Sequence, residues 1–245
     1  MSASRYEVFG ATDAGCVRAN NEDAYLIDEP VGLFLLADGM GGAKAGEHAS
    51  QLAVETVKAH VCAGRAKSAE LLQASFLAAN DAVRTAAAAD YSMHGMGTTL
   101  VGALECGDGE PLAIANVGDS RCYLFQNGKL EQITEDQTWA HEIGRHLGID
   151  ATAMRSHPMR HVLTMAIGAE VELRVQTYRI APEAGAQVLL CSDGLHGVIG
   201  ANKIQEALNS GQSLEAQCHY LIDEARKAGG PDNITVVLLR KKPEN

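Results

Sequence analysis

The spacing of apolar residues along the chain predicts strands and helices that come in separate blocks. Short apolar or alternating runs are typical of strands, whereas apolar residues three and four positions apart are typical of an amphipathic helix. We therefore expect strands at residues 6–11, 24–27, 31–37, 98–104, 112–117, 121–125, 129–133, 171–180, 187–191 and 234–239. We expect helices around residues 45–57, 72–86, 202–208 and 214–228.

The order of these elements indicates the fold class. Helices come in pairs instead of alternating with strands, which argues against a doubly wound parallel sheet. Most strands are joined by short connections, such as the tight turn at Asn127-Gly128, and the strands at 171–180 and 187–191 are expected to form a pair. The pattern predicts an α+β sandwich in which antiparallel sheets are covered by helix pairs.

Composition narrows the class of protein. No linker or repeat divides the 245 residues, so we expect one domain over 1–245, with an exposed polar excursion, a flap, at about 137–160 and a polar tail at 241–245. The formal net charge of -11 argues against a nucleic-acid partner, which needs a basic face. The six cysteines form no Cys-x-x-Cys pair, and no signal peptide or membrane-spanning run is evident. We therefore expect a cytoplasmic protein with reduced thiols and no membrane partner.

Acidic residues next to glycines or amides adjoin the predicted strands at four places. These motifs are Asn21-Glu22-Asp23, Asp38-Gly39-Met40-Gly41-Gly42, Ser192-Asp193-Gly194 and Asp232-Asn233. Unpaired carboxylates are costly to bury, but several held by a rigid sheet suit hard divalent cations, which prefer oxygen ligands. Glycines after Asp38 would let the backbone approach an ion, so the Gly39 carbonyl could itself be a ligand. The sequence therefore indicates a metal site built from distant parts of the chain.

Each motif has a simpler interpretation when it is taken alone. Asp38 could cap a helix, Asp193 could lie in an ordinary turn, and Asp232 could form an Asx turn. Glu22 and Asp23 could be solvated. Four such motifs in one chain are hard to explain by turn chemistry, and together they favour the metal site.

Two further residues have alternative interpretations. Asp119, within Asn116-Val117-Gly118-Asp119-Ser120-Arg121, is a fifth acidic turn or an ordinary hairpin residue. Arg18, four residues before Glu22, could form a structural ion pair or bind an anionic substrate through its planar guanidinium group.

Taken together, these motifs resemble those of the metal-dependent protein serine/threonine phosphatases of the PPM family, also called protein phosphatase type 2C, in their compact bacterial form. The resemblance runs from about Val8 to Leu239. Besides the motifs above, it rests on Thr12-Asp13-Ala14-Gly15, Gly46-Glu47, Gly95-Met96-Gly97-Thr98-Thr99, His157-Pro158, Ser192-Asp193-Gly194-Leu195 and Gly230-Pro231-Asp232-Asn233-Ile234-Thr235.

The resemblance implies a four-layer α-β-β-α sandwich with two Mn²⁺ or Mg²⁺ ions bound tightly at one end and room for a third. Asp38 would bridge both ions, and the carbonyl of Gly39 would bind the second. Asp193 and Asp232 would hold the first ion.

The same resemblance assigns roles to residues around the ions. Glu22, Asp23 and Asn233 would support the site without all being direct ligands. Asp119, with Asp193, resembles the third-ion site of bacterial members, and Arg18 resembles the phosphate-binding arginine.

The chain departs from the family pattern at two places. Met40 stands where many eukaryotic members have a histidine that is thought to protonate the leaving group. Asp136-Gln137-Thr138 stands where bacterial members usually have Asp-His-Ser, at the start of the flap. The proton donor and the handling of substrate at the flap are therefore open.

We predict an enzyme that hydrolyses phosphoserine and phosphothreonine in proteins with water activated by a binuclear Mn/Mg centre. Phosphorylated proteins would be its substrates, and the family implies a cognate serine/threonine kinase as partner. Two alternatives stay open: a phosphatase-like binding module that has lost catalysis, and a small-molecule phosphohydrolase.

Overall fold

Two antiparallel sheets pack face to face in the computed structural model, and helices cover the outer side of each. The structure describes residues 4–107, 109–144, 147, 157–169 and 172–243. Its strands are β1 Tyr6–Asp13, β2 Asp23–Asp28, β3 Leu33–Met40, β4 Gly97–Thr98, β5 Leu100–Glu105, β6 Leu112–Val117, β7 Arg121–Gln126, β8 Lys129–Gln132, β9 Gln176–Ile180, β10 Gln187–Cys191 and β11 Ile234–Lys241. Its helices are α1 Ala43–Ala63, α2 Ala69–Ala89, α3 Asp193–His196, α4 Ala201–Leu208 and α5 Leu214–Lys227. The expected α+β class and the four layers are confirmed.

The strand order shows how the sandwich is built. One sheet has the order β1-β11-β10-β7-β8, and the other has the order β2-β3-β5-β6-β9, with the short β4 beside β3. Helices α1 and α2 cover the second sheet, whereas α4 and α5 cover the first. No helix within the described ranges is long and apolar enough to cross a membrane.

The expected pairing of the strands at 171–180 and 187–191 is wrong. β9 begins only at Gln176 and pairs with β6, whereas β10 lies between β7 and β11 in the other sheet. Neighbouring strands in sequence are often neighbours in space, but not always. Here the connection crosses from one sheet to the other, so a half-buried edge strand is followed by a fully buried central one.

Both faces of β3 are buried, which explains why this strand is apolar along most of its length. Leu33, Leu35 and Ala37 pack toward α1 and α2, whereas Phe34 and Leu36 pack against the opposing sheet. Successive side chains of a strand point to opposite faces, so a strand buried on both sides reads as a continuous apolar run. β3 is thereby held by packing on two sides up to Ala37, the residue before Asp38.

Only part of the predicted flap lies within the described residues. Gln137 and Thr138, at its start, are buried, which contradicts the expected exposure at this end. Thr138 pairs with Leu163 in an isolated bridge, so the two ends of the segment meet at the sandwich. Positions 145, 146 and 148–156 lie outside the described residues.

Candidate active site

Five carboxylates from distant parts of the chain line one cavity at an end of the sandwich. The cavity has a volume of about 250 Å³. Its acidic lining consists of Glu22, Asp38, Asp119, Asp193 and Asp232, and it also includes Arg18, Gly39 and Asn233. The structure therefore brings together eight of the nine predicted site residues, and the ninth, Asp23, lies beside the cavity in register with Asp38.

Strand ends explain this convergence. β3 ends beyond Asp38, β10 ends just before Asp193, and β11 begins just after Asp232. Asp119 lies in the turn between β6 and β7. Because these strand ends belong to two packed sheets, the carboxylates in or next to them meet where the sheets end together.

Asp38 is fixed through its backbone. The hydroxyl of Thr99 lies 3.1 Å from the Asp38 N–H and accepts from it, and the Thr99 N–H donates to the Asp38 carbonyl at 2.9 Å. The next residue, Gly39, donates its N–H to the Glu22 carbonyl at 3.2 Å. A side chain at Gly39 would overlap the backbone oxygen of Gly46, so only glycine allows this close approach.

Asp23 is held by two hydroxyl groups in the interior. Ser192 Oγ and Thr235 Oγ1 donate to Asp23 Oδ2 at 2.9 and 2.6 Å. The other oxygen, Oδ1, is buried and has no hydrogen-bond partner among the described residues. A buried carboxylate oxygen without a partner is costly, so this position favours an additional ion or water nearby.

Asn233 connects the loop before β2 to the mouth of β11. Its Oδ1 accepts from the Glu22 N–H at 2.8 Å, while its Nδ2 donates to the carbonyls of Ala14 and Asn20 at 3.1 and 2.9 Å. Asn233 thus satisfies three backbone groups at once. Its role in the structure is to hold the segment that contains Arg18 and Glu22.

The turn that contains Asp119 is hydrogen-bonded to the first residue of the flap. Gly118 and Gln137 exchange two hydrogen bonds, from the Gly118 N–H to Gln137 Oε1 at 2.8 Å and from the Gln137 N–H to the Gly118 carbonyl at 3.0 Å. Nε2 of His196 lies 3.0 Å from the Asp119 carbonyl and must donate to it. The position where Gln replaces the family's usual His is therefore a buried structural position.

Arg18 forms an ion pair within the site. Its Nη2 lies 2.7 Å from Asp232 Oδ2, and half of the Arg18 side chain is exposed. The hydrogen bond to Asp232 raises the pKa of Arg18, which stays charged. The structure therefore contains the ion pair, and the exposed part of the guanidinium group faces the same cavity.

Crowding of carboxylates gives the cavity unusual electrostatics. The pKa of Asp38 is raised well above its usual range, mainly because burial removes the carboxylate from water. Repulsion from Asp23 and Asp193 raises this pKa further. Burial likewise raises the pKa of Asp119 to about 7. The site as folded therefore concentrates negative charge that positive charge must offset.

The fit of this donor set to divalent cations is mixed but favourable. Within the described part of the chain, no three His, Cys, Asp or Glu side chains already form a closed ion cage. Asp232 is turned toward Arg18, and Asp23 toward two hydroxyl groups. The donors are nevertheless hard oxygens that line one cavity, and such oxygens suit Mg²⁺ and Mn²⁺.

Several residues of the site were not predicted to have a role. Thr99, Ser192 and Thr235 hold Asp38 and Asp23 through their hydroxyl groups. They occur in the quoted motifs, so their position beside the acidic residues was a signal. His161 and Leu163 also line the cavity, but no local pattern indicates this because the fold alone brings residues after the flap to the site.

Comparison with known proteins agrees with this geometry. The family model described as Protein phosphatase 2C matches residues 17–236. The chain belongs to the protein phosphatase 2C family. It is 35% identical over 238 residues to the serine/threonine phosphatase Stp of Listeria innocua, covering 94% of each chain. It is 40% identical over 230 residues to the serine/threonine protein phosphatase PstP of Mycobacterium tuberculosis, covering 93% of this chain and 43% of PstP.

Solved structures of the phosphatase 2C family share the fold. The crystal structure of M. tuberculosis PstP superposes with a TM-score of 0.86 at 36% identity, covering 97% of this chain and 99% of that one. The PstP catalytic domain in complex with two manganese ions superposes with a TM-score of 0.84 at 34% identity, covering 97% and 99%. The predicted family, the fold and the classification as a phosphatase enzyme are thus confirmed.

Proposed function

We propose that this phosphatase 2C hydrolyses phosphoserine and phosphothreonine in proteins at a centre of two Mn²⁺ or Mg²⁺ ions. The observation that carries the proposal is the meeting of Asp38, Asp119, Asp193 and Asp232 in one cavity with the guanidinium group of Arg18. The presence of two manganese ions in the similar PstP catalytic domain supports it.

The proposed ligands are the residues whose oxygens line the cavity. Asp38 would bridge the two ions, Asp193 and Asp232 would hold the first, and the Gly39 carbonyl would bind the second. Asp119 would provide a weaker third site. Bound cations of this kind act as Lewis acids and lower the pKa of coordinated water, which gives a nucleophile at neutral pH.

The chain's own residues would bind and orient the substrate. Arg18, once Asp232 turns to an ion, would be free to donate two parallel hydrogen bonds to phosphoryl oxygens. Its location on the segment held by Asn233 keeps the guanidinium group at the cavity mouth. Glu22 and the buried carboxylate of Asp23 would support the ligands, directly or through water.

Met40 bears on which group protonates the leaving group. The side chain lines the cavity but carries no exchangeable proton, so it cannot protonate the leaving group. The proton would come from water in the cavity. Among the described residues, no cysteine or serine lines the cavity, and the nearby Ser192 is buried and already donates to Asp23.

We further propose that the enzyme opposes a cognate serine/threonine kinase in the cytoplasm. The relatives with serine/threonine phosphatase names support the substrate class. Two exposed thiols, Cys16 and Cys62, suit a reducing compartment.

The test is hydrolysis of a phosphothreonine peptide and of p-nitrophenyl phosphate by chelator-treated enzyme, before and after addition of Mn²⁺. We expect both to be hydrolysed only with the metal, and Asp38→Asn to abolish both activities. Hydrolysis of p-nitrophenyl phosphate alone would instead support a small-molecule phosphohydrolase. Hydrolysis of neither by metal-loaded enzyme would support a binding module.

A further inference from the structure

A second, larger depression adjoins the catalytic cavity. It has a volume of about 730 Å³, and it shares Met40 with the cavity. One wall is the last part of α2, with Arg84, Ala87 and Ala88, and the other is formed by residues 94–97 and 168–169. We call this depression the α2 groove.

Met40 forms the boundary between the α2 groove and the cavity. A Cβ at Gly97 would lie 2.9 Å from the Met40 Cε, so the thioether lies directly over this glycine. The Met40 side chain is 37% exposed. A flexible, exposed methionine adapts its shape to different apolar groups, and anything that extends from the cavity into the groove must pass it.

The opposite wall of the groove is fixed. The Gly168 N–H donates to Asn80 Oδ1 of α2 at 2.8 Å, and Thr98 and Ile167 form an isolated β-bridge. The groove is therefore part of the folded sandwich.

The charge of the α2 groove is opposite to that of the catalytic cavity. Among the residues that the structure describes, its lining contains Arg84 and His94 and no acidic side chain. Arg84 is exposed and makes no hydrogen bond or ion pair with any residue that the structure describes. His94 is exposed and packs beside the ring of Tyr91, which is itself 93% exposed. The nearby Asp90 does not line the groove, and its carboxylate accepts hydrogen bonds from the N–H and hydroxyl of Ser92.

We propose that the α2 groove binds the residues that flank the phosphorylated side chain of a protein substrate, and that it favours acidic flanking residues. The inference rests on the proposed function and extends it to substrate choice. The catalytic cavity is large enough for a phosphoryl group and its ester oxygen, whereas the groove has room for several residues. Continuity at Met40 lets one extended peptide occupy both, and the unpaired Arg84 provides charge complementarity.

The experiment compares two phosphothreonine peptides of equal length that carry Glu or Lys at the positions flanking the phosphothreonine. The readout is the ratio of kcat/KM for the Glu peptide to that for the Lys peptide, with p-nitrophenyl phosphate as a substrate too small to reach the groove. For the unmodified, Mn-loaded enzyme at low salt we expect the Glu peptide to be preferred. An exposed charge pair changes binding by up to about fivefold, so Arg84→Glu should lower the ratio by about two- to tenfold.

Arg65→Glu is the matched control. Arg65 is an exposed arginine between α1 and α2 at the opposite end of these helices, and its replacement changes net charge by the same amount. This variant should keep the preference for the Glu peptide. Ala88→Trp adds bulk to the groove without charge and should lower kcat/KM for both peptides relative to p-nitrophenyl phosphate. Thermal unfolding of each variant reports whether it is folded.

The outcomes separate this inference from the proposed function. Efficient hydrolysis of both peptides with no preference for Glu, or an equal loss of preference in Arg84→Glu and Arg65→Glu, would overturn the docking role of the groove alone. Failure of the Mn-loaded enzyme to hydrolyse any phosphothreonine peptide would overturn the proposed function, and the docking role with it. Loss of the preference at higher salt is expected, because exposed charges are screened within about 8 Å at physiological ionic strength.

Discussion

Replacing Arg18 with alanine separates the ion pair that the structure contains from the substrate contact that we propose for this residue. The guanidinium group pairs with Asp232 at 2.7 Å and faces the cavity. A lost charge-assisted contact to the substrate phosphate costs about 1.5–3 kcal/mol, so kcat/KM should fall by roughly 10- to 150-fold. The exposed ion pair itself is worth about 1 kcal/mol at most, which limits the decrease in Tm to roughly 4 °C.

The assay combines steady-state kinetics with thermal unfolding, each in Mn²⁺ and in chelated buffer. We expect metal occupancy to persist in Arg18→Ala, because Asp232 loses a competitor for the ion. In chelated buffer the decrease in Tm should be larger than in Mn²⁺, since the arginine is then a main counter-charge to the carboxylates.

Arg226→Ala is the matched control for this prediction. Arg226 forms an ion pair with Asp13 at 2.5 Å, has a similarly exposed side chain, and does not line the cavity. It should show a similarly small thermal effect with kcat/KM close to that of the unmodified enzyme. Equal kinetic losses in Arg18→Ala and Arg226→Ala would refute a substrate contact for Arg18 and leave only the structural ion pair.

Three further predictions concern the support of the site. Asp119→Ala should lower turnover most strongly at limiting Mn²⁺, and a Mn²⁺ titration that superimposes on that of the unmodified enzyme would reduce Asp119 to a turn residue. Gln137→Ala leaves the Gly118 N–H without its side-chain acceptor, so scanning calorimetry should show a Tm lower by roughly 2–12 °C. In Gly194→Ala the new Cβ would overlap a backbone oxygen, so the free energy of unfolding should fall by about 1–3 kcal/mol. Gly200→Ala is the control, because a Cβ there meets open space, and equal unfolding free energies of the two variants would contradict the prediction.

The elements and the main carboxylates could be predicted because both leave local signals. The apolar run of β3 and the helical spacing in α1 and α2 reflect burial directly. Asp38, Asp193 and Asp232 could be found because each adjoins a buried strand. Strand ends at one edge of a sandwich lie close together, so carboxylates that are far apart in the sequence form one cluster in the structure.

The features of the fold and the site that could not be predicted from the sequence depend on contacts between distant residues. Glu22 and Asp23 are neighbours with the same chemistry, yet Glu22 lines the cavity and Asp23 lies beside it, because successive side chains of extended chain point to opposite sides. Gln137 is polar but buried, since Gly118 and Arg174 satisfy its amide. The choice of sheet for β9 likewise depends on its pairing with β6, which no local pattern encodes.

Anomalous scattering at the manganese absorption edge, from crystals grown with Mn²⁺, tests the proposed metal centre most directly. We expect two strong anomalous peaks in the cavity, one between Asp38, Asp193 and Asp232 and the other within reach of the Gly39 carbonyl. We also expect Asp232 to have turned away from Arg18 to face the first ion. An empty cavity in crystals of active enzyme, with Arg18 and Asp232 still paired and manganese bound elsewhere, would contradict it.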